Sequence, residues 1–282
     1  MKLVIGTASW RTPYGALRKG MIGKRKIKKI VRTANLEGIA ALDTSPDYGD
    51  VELIIGQSSC KKNIATKIVF TDESETDLEI NLRLSMERLR VNILDIVFIH
   101  NWDDLHQREK IRALKFMKEM KEIGIVKNIG ISTYSIPAIK QILSSKIRNV
   151  IIQFNLNILD QRIVELGVEK WQLRILQNEI EFWGRSIFLQ GVLLDSSKEN
   201  PFSNHPDLIR FWRYCLSLGV DPYDVCLAFP RQLGFIDAIV VGINNVKEIH
   251  SLVKSNNGPS TKFDFSSIAS SDSNLIDPRR WR

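Results

Sequence analysis

Eight short apolar runs alternate with segments of helical period along this chain, and that alternation constrains the fold more than any other feature. The runs are LVIGTA from Leu3, IAALD from Ile39, NIATK from Asn63, DIVFIH from Asp95, VKNIGIS from Val126, VIIQF from Val150, GRSIFL from Gly184 and DAIVVG from Asp237. Several are near-continuously apolar rather than alternating, as parallel strands buried on both faces require. Between them, Ile27, Ile30, Val31 and Ala34 fall on one helical face, and so do Leu78, Leu82, Met86 and Leu89. Ile111, Leu114, Met117 and Met120 repeat the spacing, as do Val246, Ile249 and Val253. Ser74 with Asp77 resembles a capping box, and Ser135 ahead of Pro137 marks another helix start. Eight strands alternating with helices predict an α/β fold, a (β/α)8 TIM barrel in one domain over residues 1–254. No spaced glycine triplet follows the first strand, so an open dinucleotide-binding sheet is disfavoured. The polar, Ser-rich stretch 255–282 predicts a C-terminal extension or loop.

With 44% hydrophobic and 26% charged residues, the chain has an ordinary globular composition. Lys+Arg 40 against Asp+Glu 32 gives a formal charge of +8, which favours anionic ligands in general. Much of the excess lies in GKRKIKK (Gly23 to Lys29) and in the terminal PRRWR, read as a solvated helix face and a tail. Nucleic-acid binding would tie basic residues to a recognisable motif, and the sequence offers none. Cys60, Cys215 and Cys226 have no metal or redox spacing, and an odd count argues against a disulfide framework. No apolar run is long enough to span a membrane, and MKLVIGTASW lacks a signal-peptide core. The expected location is the reduced cytoplasm.

Three strand-like runs end on a polar residue: Asp43 closes IAALD, Lys67 closes NIATK and His100 closes DIVFIH. Tyr48 lies in the turn-prone TSPDYG that follows Asp43. In a barrel of this kind the C-terminal strand ends line one mouth, where active sites sit. A carboxylate, a phenol, an amine and an imidazole thus converge there, the set needed to hand a proton to a carbonyl oxygen. A free phenol titrates near about 10. A Lys67 ammonium is expected to lower that value, Asp43 to hold Lys67 in place, and His100 to aim an N–H at the substrate oxygen. Singly, each residue has a duller explanation in an ion pair, a core imidazole or loop packing; their conjunction points to chemistry. No Ser or Cys sits beside an activating His, and His100, His106, His205 and His250 are too scattered for a metal cluster. Proton donation without nucleophile or metal implies that a cofactor supplies the hydride.

Across nearly its whole length the chain resembles the aldo-keto reductase family, through LDTSPDYG with VELIIG, ATK, DIVFIHNWD, VKNIGIST and VVGINNVKEI. The family's tetrad of Asp, Tyr, Lys and His falls on Asp43, Tyr48, Lys67 and His100. The resemblance implies reduction of an aldehyde or ketone by NADPH or NADH. It also implies Ser132 and Gln153 at the carboxamide, and Arg185, Ser186, Phe188, Gln190 and Gly191 along the nicotinamide and pyrophosphate. Gly242, Asn244 and Asn245 would meet the adenosine phosphate, where a helix N-terminus offers N–H groups. Three departures stand out. Thr133 replaces a frequent Asn, Arg185 replaces a Tyr that often stacks on the nicotinamide, and Glu248 replaces an Arg common in NADP-preferring members. An acidic side chain there would repel a 2′-phosphate. The N-terminal hairpin that often plugs the barrel bottom is also absent.

Trp10, Tyr14 and Trp102 fall on rim loops near polar Asn101 and Asp103. They suit stacking on a sugar-like ring, or else they wall the mouth hydrophobically. The LIDPRRW ending is similar to relatives associated with bacterial surface-sugar metabolism. The expected partner is therefore a small-molecule carbonyl, with no nucleic acid and no membrane; no motif speaks to oligomeric state. Two other readings stand beside a reductase. One is a nucleotide-binding regulatory or partner-binding barrel without turnover, and the other is a lyase or isomerase with Lys67 as a Schiff base.

Overall fold

Eight parallel strands close into one barrel in sequence order in the computed structural model, which describes residues 1–16, 21–60, 62–72, 74–258 and 262–281. The strands are β1 (Lys2–Gly6), β2 (Ile39–Asp43), β3 (Asn63–Ile68), β4 (Leu94–Ile99), β5 (Val126–Thr133), β6 (Val150–Asn155), β7 (Ile180–Arg185) and β8 (Ala238–Gly242). Around them run α1 (Lys24–Leu36), α2 (Val51–Gly56), α3 (Glu75–Leu89), α4 (Gln107–Glu122), α5 (Ile136–Ser144), α6 (Arg162–Glu165) and α7 (Gln172–Gln177). The chain continues through α8 (Pro206–Leu218), α9 (Pro222–Leu233), α10 (Val246–Asn257) and α11 (Ser273–Ile276). Among the described residues no helix is long and apolar enough to cross a membrane.

Two apolar clusters divide the core. The larger lies between strands and helices, and the smaller fills the barrel with Val4, Ala41, Ala65, Ile96, Phe98, Ile151, Trp183, Ala238 and Val240. Phe98 and Trp183 meet edge to face inside it, with centroids 5.7 Å apart. Gly130 makes the room, since a methyl group there would lie 2.2 Å from the Phe98 ring. Side chains alternate along a strand, so the residue two positions beyond each plug residue faces the same interior, one layer higher. From the upper plug residues these are Gly6, Asp43, Lys67, His100, Gln153, Arg185 and Gly242, and Ser132 stands two beyond Gly130 on β5. The apolar plug is thus the floor of a polar layer at the C-terminal mouth.

Several sequence expectations shift. The seventh strand is Ile180–Arg185 rather than a run starting at Gly184, because Ser186 turns left-handed at φ 62° and ends the extension. On α4, Ile111 is 60% exposed and the buried face is Ala113, Phe116, Met117 and Met120. Steps of three residues alone drift around a helix by about 60° each, so a stripe picked at that spacing leaves the core side. Ser74 caps α3 by accepting from the Asp77 N–H, but the Asp77 carboxylate takes the Ser74 hydroxyl rather than its backbone. The extension also differs from a loose tail. Helix α10 runs to Asn257, and beyond it Ile268, Leu275 and Ile276 are buried at 1%, 0% and 1% exposure. Its polar residues tie it down: Ser270 N–H donates to Leu159 O, and Asp272 and Asp277 cap two short turns. The terminal PRRWR is correspondingly not all solvated, since Arg279 reaches Asp277, Asp103 and the Tyr134 ring.

Candidate active site

The Lys67 ammonium sits in the floor of the mouth with all three protons engaged. It donates to Asp43 Oδ1 at 3.0 Å, Asp43 Oδ2 at 2.9 Å and Thr44 O at 2.7 Å. Their side chains are 3% and 8% exposed, a buried pair rather than a surface one. Gln153, entering from β6, donates from Nε2 to Asp43 Oδ1 at 3.1 Å. Thr7 N–H and Oγ1 hold the Asp43 carbonyl at 3.0 Å each, which fixes the end of β2. This network engages the Lys67 nitrogen in three hydrogen bonds, so a Schiff-base role would first require breaking it.

Tyr48 lies against this pair, its ring centroid 5.0 Å from Lys67 Nζ. The expected lowering of its phenol by Lys67 is not what the structure shows. Burial pushes the Tyr48 phenol well up and the Asp43 charge adds to that, while Arg185 is the foremost influence lowering it. The physical reason is local neutralisation: Asp43 already answers the Lys67 charge, whose hydrogen bonds go to Asp43 and Thr44. Burial thus favours the protonated phenol at Tyr48.

His100 follows β4, with its Nδ1 3.9 Å from Asp47 Oδ2. Burial, then the charges of Lys67 and Arg185, lower its pKa to about 4. The imidazole is neutral at pH 7 and offers one N–H as a hydrogen-bond donor. Because the folded value lies below the unfolded value near about 6.5, the unfolded chain binds more protons between about 6.5 and 4. The His100 contribution to stability is thus complete above about 6.5 and is lost as pH falls toward 4. We predict an NMR titration midpoint for His100 below 5; a midpoint at 6 or above would place the ring in solvent and void this assignment.

Arg185 ends β7 with its guanidinium 3.8 Å over the Tyr134 ring, and Arg279 covers the same ring at 4.1 Å. Tyr134 and Arg279 were not singled out by sequence reasoning. Their only signal was the PRRW run near the C-terminus and a tyrosine following GIST. Asp103 organises both: its carboxylate accepts from Tyr134 N–H at 2.7 Å and from the Thr133 hydroxyl, and pairs with Arg279 at 3.5 Å. Asn101 is likewise structural, bridging Phe70 N–H and O at 2.9 and 2.8 Å.

The aromatic residues separate. Trp10 is fully buried with its indole N–H donating to Ile243 O at 2.7 Å, and Trp102 is 4% exposed with Lys110 over its ring. Neither presents a face to a ligand; both wall the mouth, because a rim loop that folds inward buries its largest apolar groups first. Tyr14 alone of the three stays open, 41% exposed, with its hydroxyl accepting from Gln190 Nε2 at 3.3 Å.

The residues implied for a dinucleotide lie along one side of this mouth. Ser132 and Gln153 pair in register on β5 and β6, and Gln153 Oε1 is a buried acceptor with no partner, suited to a carboxamide N–H. Ser186, Leu189, Gln190 and Gly191 all have positive φ, from 47° to 94°, in a turn beside Phe188, whose ring stacks on Tyr223 at 4.8 Å. Such turns point backbone N–H groups into a concavity that suits phosphate oxygens. The nicotinamide end therefore fits the cofactor. At the far end the expectation of open N–H groups fails. Glu248 folds over the N-terminus of α10, accepting from Asn244 N–H and Asn245 Nδ2 at 2.6 Å each, while Asn245 Oδ1 caps Glu248 N–H at 3.1 Å. Ser9 Oγ donates to the Asn244 side chain at 2.9 Å. Gly242, exposed at the end of β8, has open space above it.

A model of the Aldo/keto reductase family matches residues 2–273. The chain is 26% identical over 267 residues to D-arabinose 1-dehydrogenase of Saccharomyces cerevisiae, covering 82% of this chain and 78% of that protein. It is 31% identical over 125 residues to methylglyoxal reductase DkgB of Escherichia coli O157:H7, covering 41% of this chain and 45% of that protein. Among solved structures, aldo-keto reductase AKR11C1 from Bacillus halodurans (holo form) superposes with a TM-score of 0.75 at 18% identity, covering 99% and 95% of the two chains. An aldo-keto reductase from Klebsiella pneumoniae in complex with NADPH gives 0.67 at 13% identity, covering 98% and 91%. These structural likenesses share the barrel. With the family match spanning all eight strands, the chain belongs to the aldo/keto reductase family.

Proposed function

We propose that this chain reduces the carbonyl of a small or sugar-like aldehyde or ketone, with Tyr48 as the proton donor. The observation that carries this reading is the Tyr48 ring 5.0 Å from a Lys67 Nζ held by Asp43 and Thr44, with His100 at the neighbouring strand end. A bound NAD(P)H supplies the hydride. Tyr48 gives its proton to the developing alkoxide, and His100 offers an N–H that fixes the oxygen and takes up part of its charge. Arg185 lowers the cost of the phenolate left behind, while Asp43, itself held by Gln153, keeps Lys67 in place. Ser132 and Gln153 are the proposed carboxamide contacts, and the turn from Ser186 to Gly191 the pyrophosphate contact. Kinship with a D-arabinose 1-dehydrogenase and with methylglyoxal reductases supports a sugar-like or small substrate. The cytoplasm is the proposed location, in keeping with three unpaired cysteines.

Glu248 is proposed to select NADH. The test is a titration of the protein with each dinucleotide, read by quenching of tryptophan fluorescence. Wild type is expected to bind NADH about tenfold or more tightly than NADPH, about 1.4 kcal/mol. Glu248→Gln should narrow that ratio by admitting the 2′-phosphate. Equal affinities in wild type would remove Glu248 from cofactor choice, and binding of neither would end the reductase reading in favour of a barrel without turnover. Borohydride trapping with substrate is expected to leave Lys67 unmodified.

A further inference from the structure

Among the described residues, the charged groups Lys67, Arg162 and Arg279 around the barrel mouth are paired, unlike Arg185. Lys67 is answered by Asp43, and Arg279 by Asp277 at 2.7 Å and Asp103 at 3.5 Å. Arg162 is held by both oxygens of Asp160 at 2.7 Å each, and Asn155 Nδ2 donates to that same carboxylate. Arg185 has no carboxylate within ion-pair distance among the described residues. Its company is aromatic: it stacks on Tyr134 and lies close enough to Tyr14, Tyr48 and His100 to lower the pKa of each. Asp47, the remaining acid of this region, is 61% exposed and faces His100.

We propose that Arg185 receives a carboxylate carried by the carbonyl substrate, which makes the substrate an oxo acid or an acidic sugar rather than a neutral aldehyde. The inference rests on the reductase reading above and narrows its substrate. A half-buried guanidinium without a counter-charge is costly, and an incoming anion relieves that cost. Its planar fork suits a carboxylate bidentately. Stacking on Tyr134 holds one face of the guanidinium and so orients the fork. Arg185 stands in the same layer as His100 and Lys67, so the anion and the reacting carbonyl belong to one small molecule. The net charge of +8 assists the approach of such a substrate.

The test compares succinic semialdehyde with butanal, which share a chain length and differ by the carboxylate. Wild type is expected to show kcat/KM about tenfold or more higher for the acid. Arg185→Gln should reduce that ratio to within about threefold, and Arg185→Lys, which keeps the charge but not the fork, should fall between. A second readout needs neither cofactor nor turnover: succinate at constant ionic strength should raise the melting temperature of wild type and not of Arg185→Gln. If Arg185→Gln does not fold, Arg185→Lys carries both readouts. Wild type that treats the two aldehydes alike overturns the proposal. So does an Arg185→Gln protein that keeps the discrimination and instead loses about tenfold in NADH affinity, since Arg185 would then serve a cofactor phosphate. Failure of wild type to reduce either aldehyde, with succinate still stabilising it through Arg185, would sink the reductase reading and leave the anion site standing.

Discussion

Tyr48→Phe is expected to lower kcat for carbonyl reduction by about 10²–10⁴-fold, the usual worth of a positioned proton donor. The ring lies against Lys67 and is half-buried, so phenylalanine preserves its packing and removes only the acidic proton. Loss should therefore fall on kcat, with NADH affinity close to wild type in the fluorescence titration. Burial holds the wild-type phenol protonated, so the acid form is fully populated at pH 7 and reduction should show no rising limb from Tyr48 at neutral pH. His100, neutral above about 4, should add none either. A Tyr48→Phe enzyme that turns over undiminished would transfer the proton-donor role to another group. Full loss of NADH binding in the same variant would point to a collapsed site rather than missing chemistry.

Asp43→Asn is expected to destabilise the fold by about 3–5 kcal/mol, because it strands a buried ammonium without its counter-charge. Lys67 is 3% exposed on its side chain and has no second carboxylate among its hydrogen-bond partners. Asparagine keeps the shape and one acceptor oxygen but turns the other into a donor aimed at Nζ. The measurement is the shift in urea midpoint at constant slope. Adding Lys67→Met should recover part of the loss, since a pair replaced by apolar volume costs less than a pair broken. A single-variant loss below about 1 kcal/mol would mean that water screens the pair as on a surface.

Most of the barrel was legible because its signals are local. Strand-like runs buried on both faces and helical stripes such as Ile27, Ile30, Val31 and Ala34 need only neighbours in sequence, and those four are the buried face of α1. The layer holding Asp43, Lys67 and His100 was legible for the same reason: each closes an apolar run, and the C-terminal strand ends of such a barrel share one mouth. Harder to read were places where distant segments meet. The boundary of β7 depended on a left-handed turn at Ser186, and the α4 stripe on which side Phe116 found its partner Phe70, at 5.6 Å.

The sequence by itself determined the architecture and delivered four reactive side chains to one rim, since period and strand-end position are properties of contiguous residues. Only the tertiary structure decided their electrostatics. Lys67 spends its protons on Asp43 and Thr44, Glu248 folds back onto the N-terminus of α10, and Trp10 turns inward to Ile243. Arg279 crosses from the extension to Tyr134, and Arg185 is left without an acid among the described residues. Each outcome depends on which groups from separate strands and loops come within a few ångströms, and on how much water remains between them. Coulomb energy and desolvation depend on those distances, and no spacing along the chain encodes them.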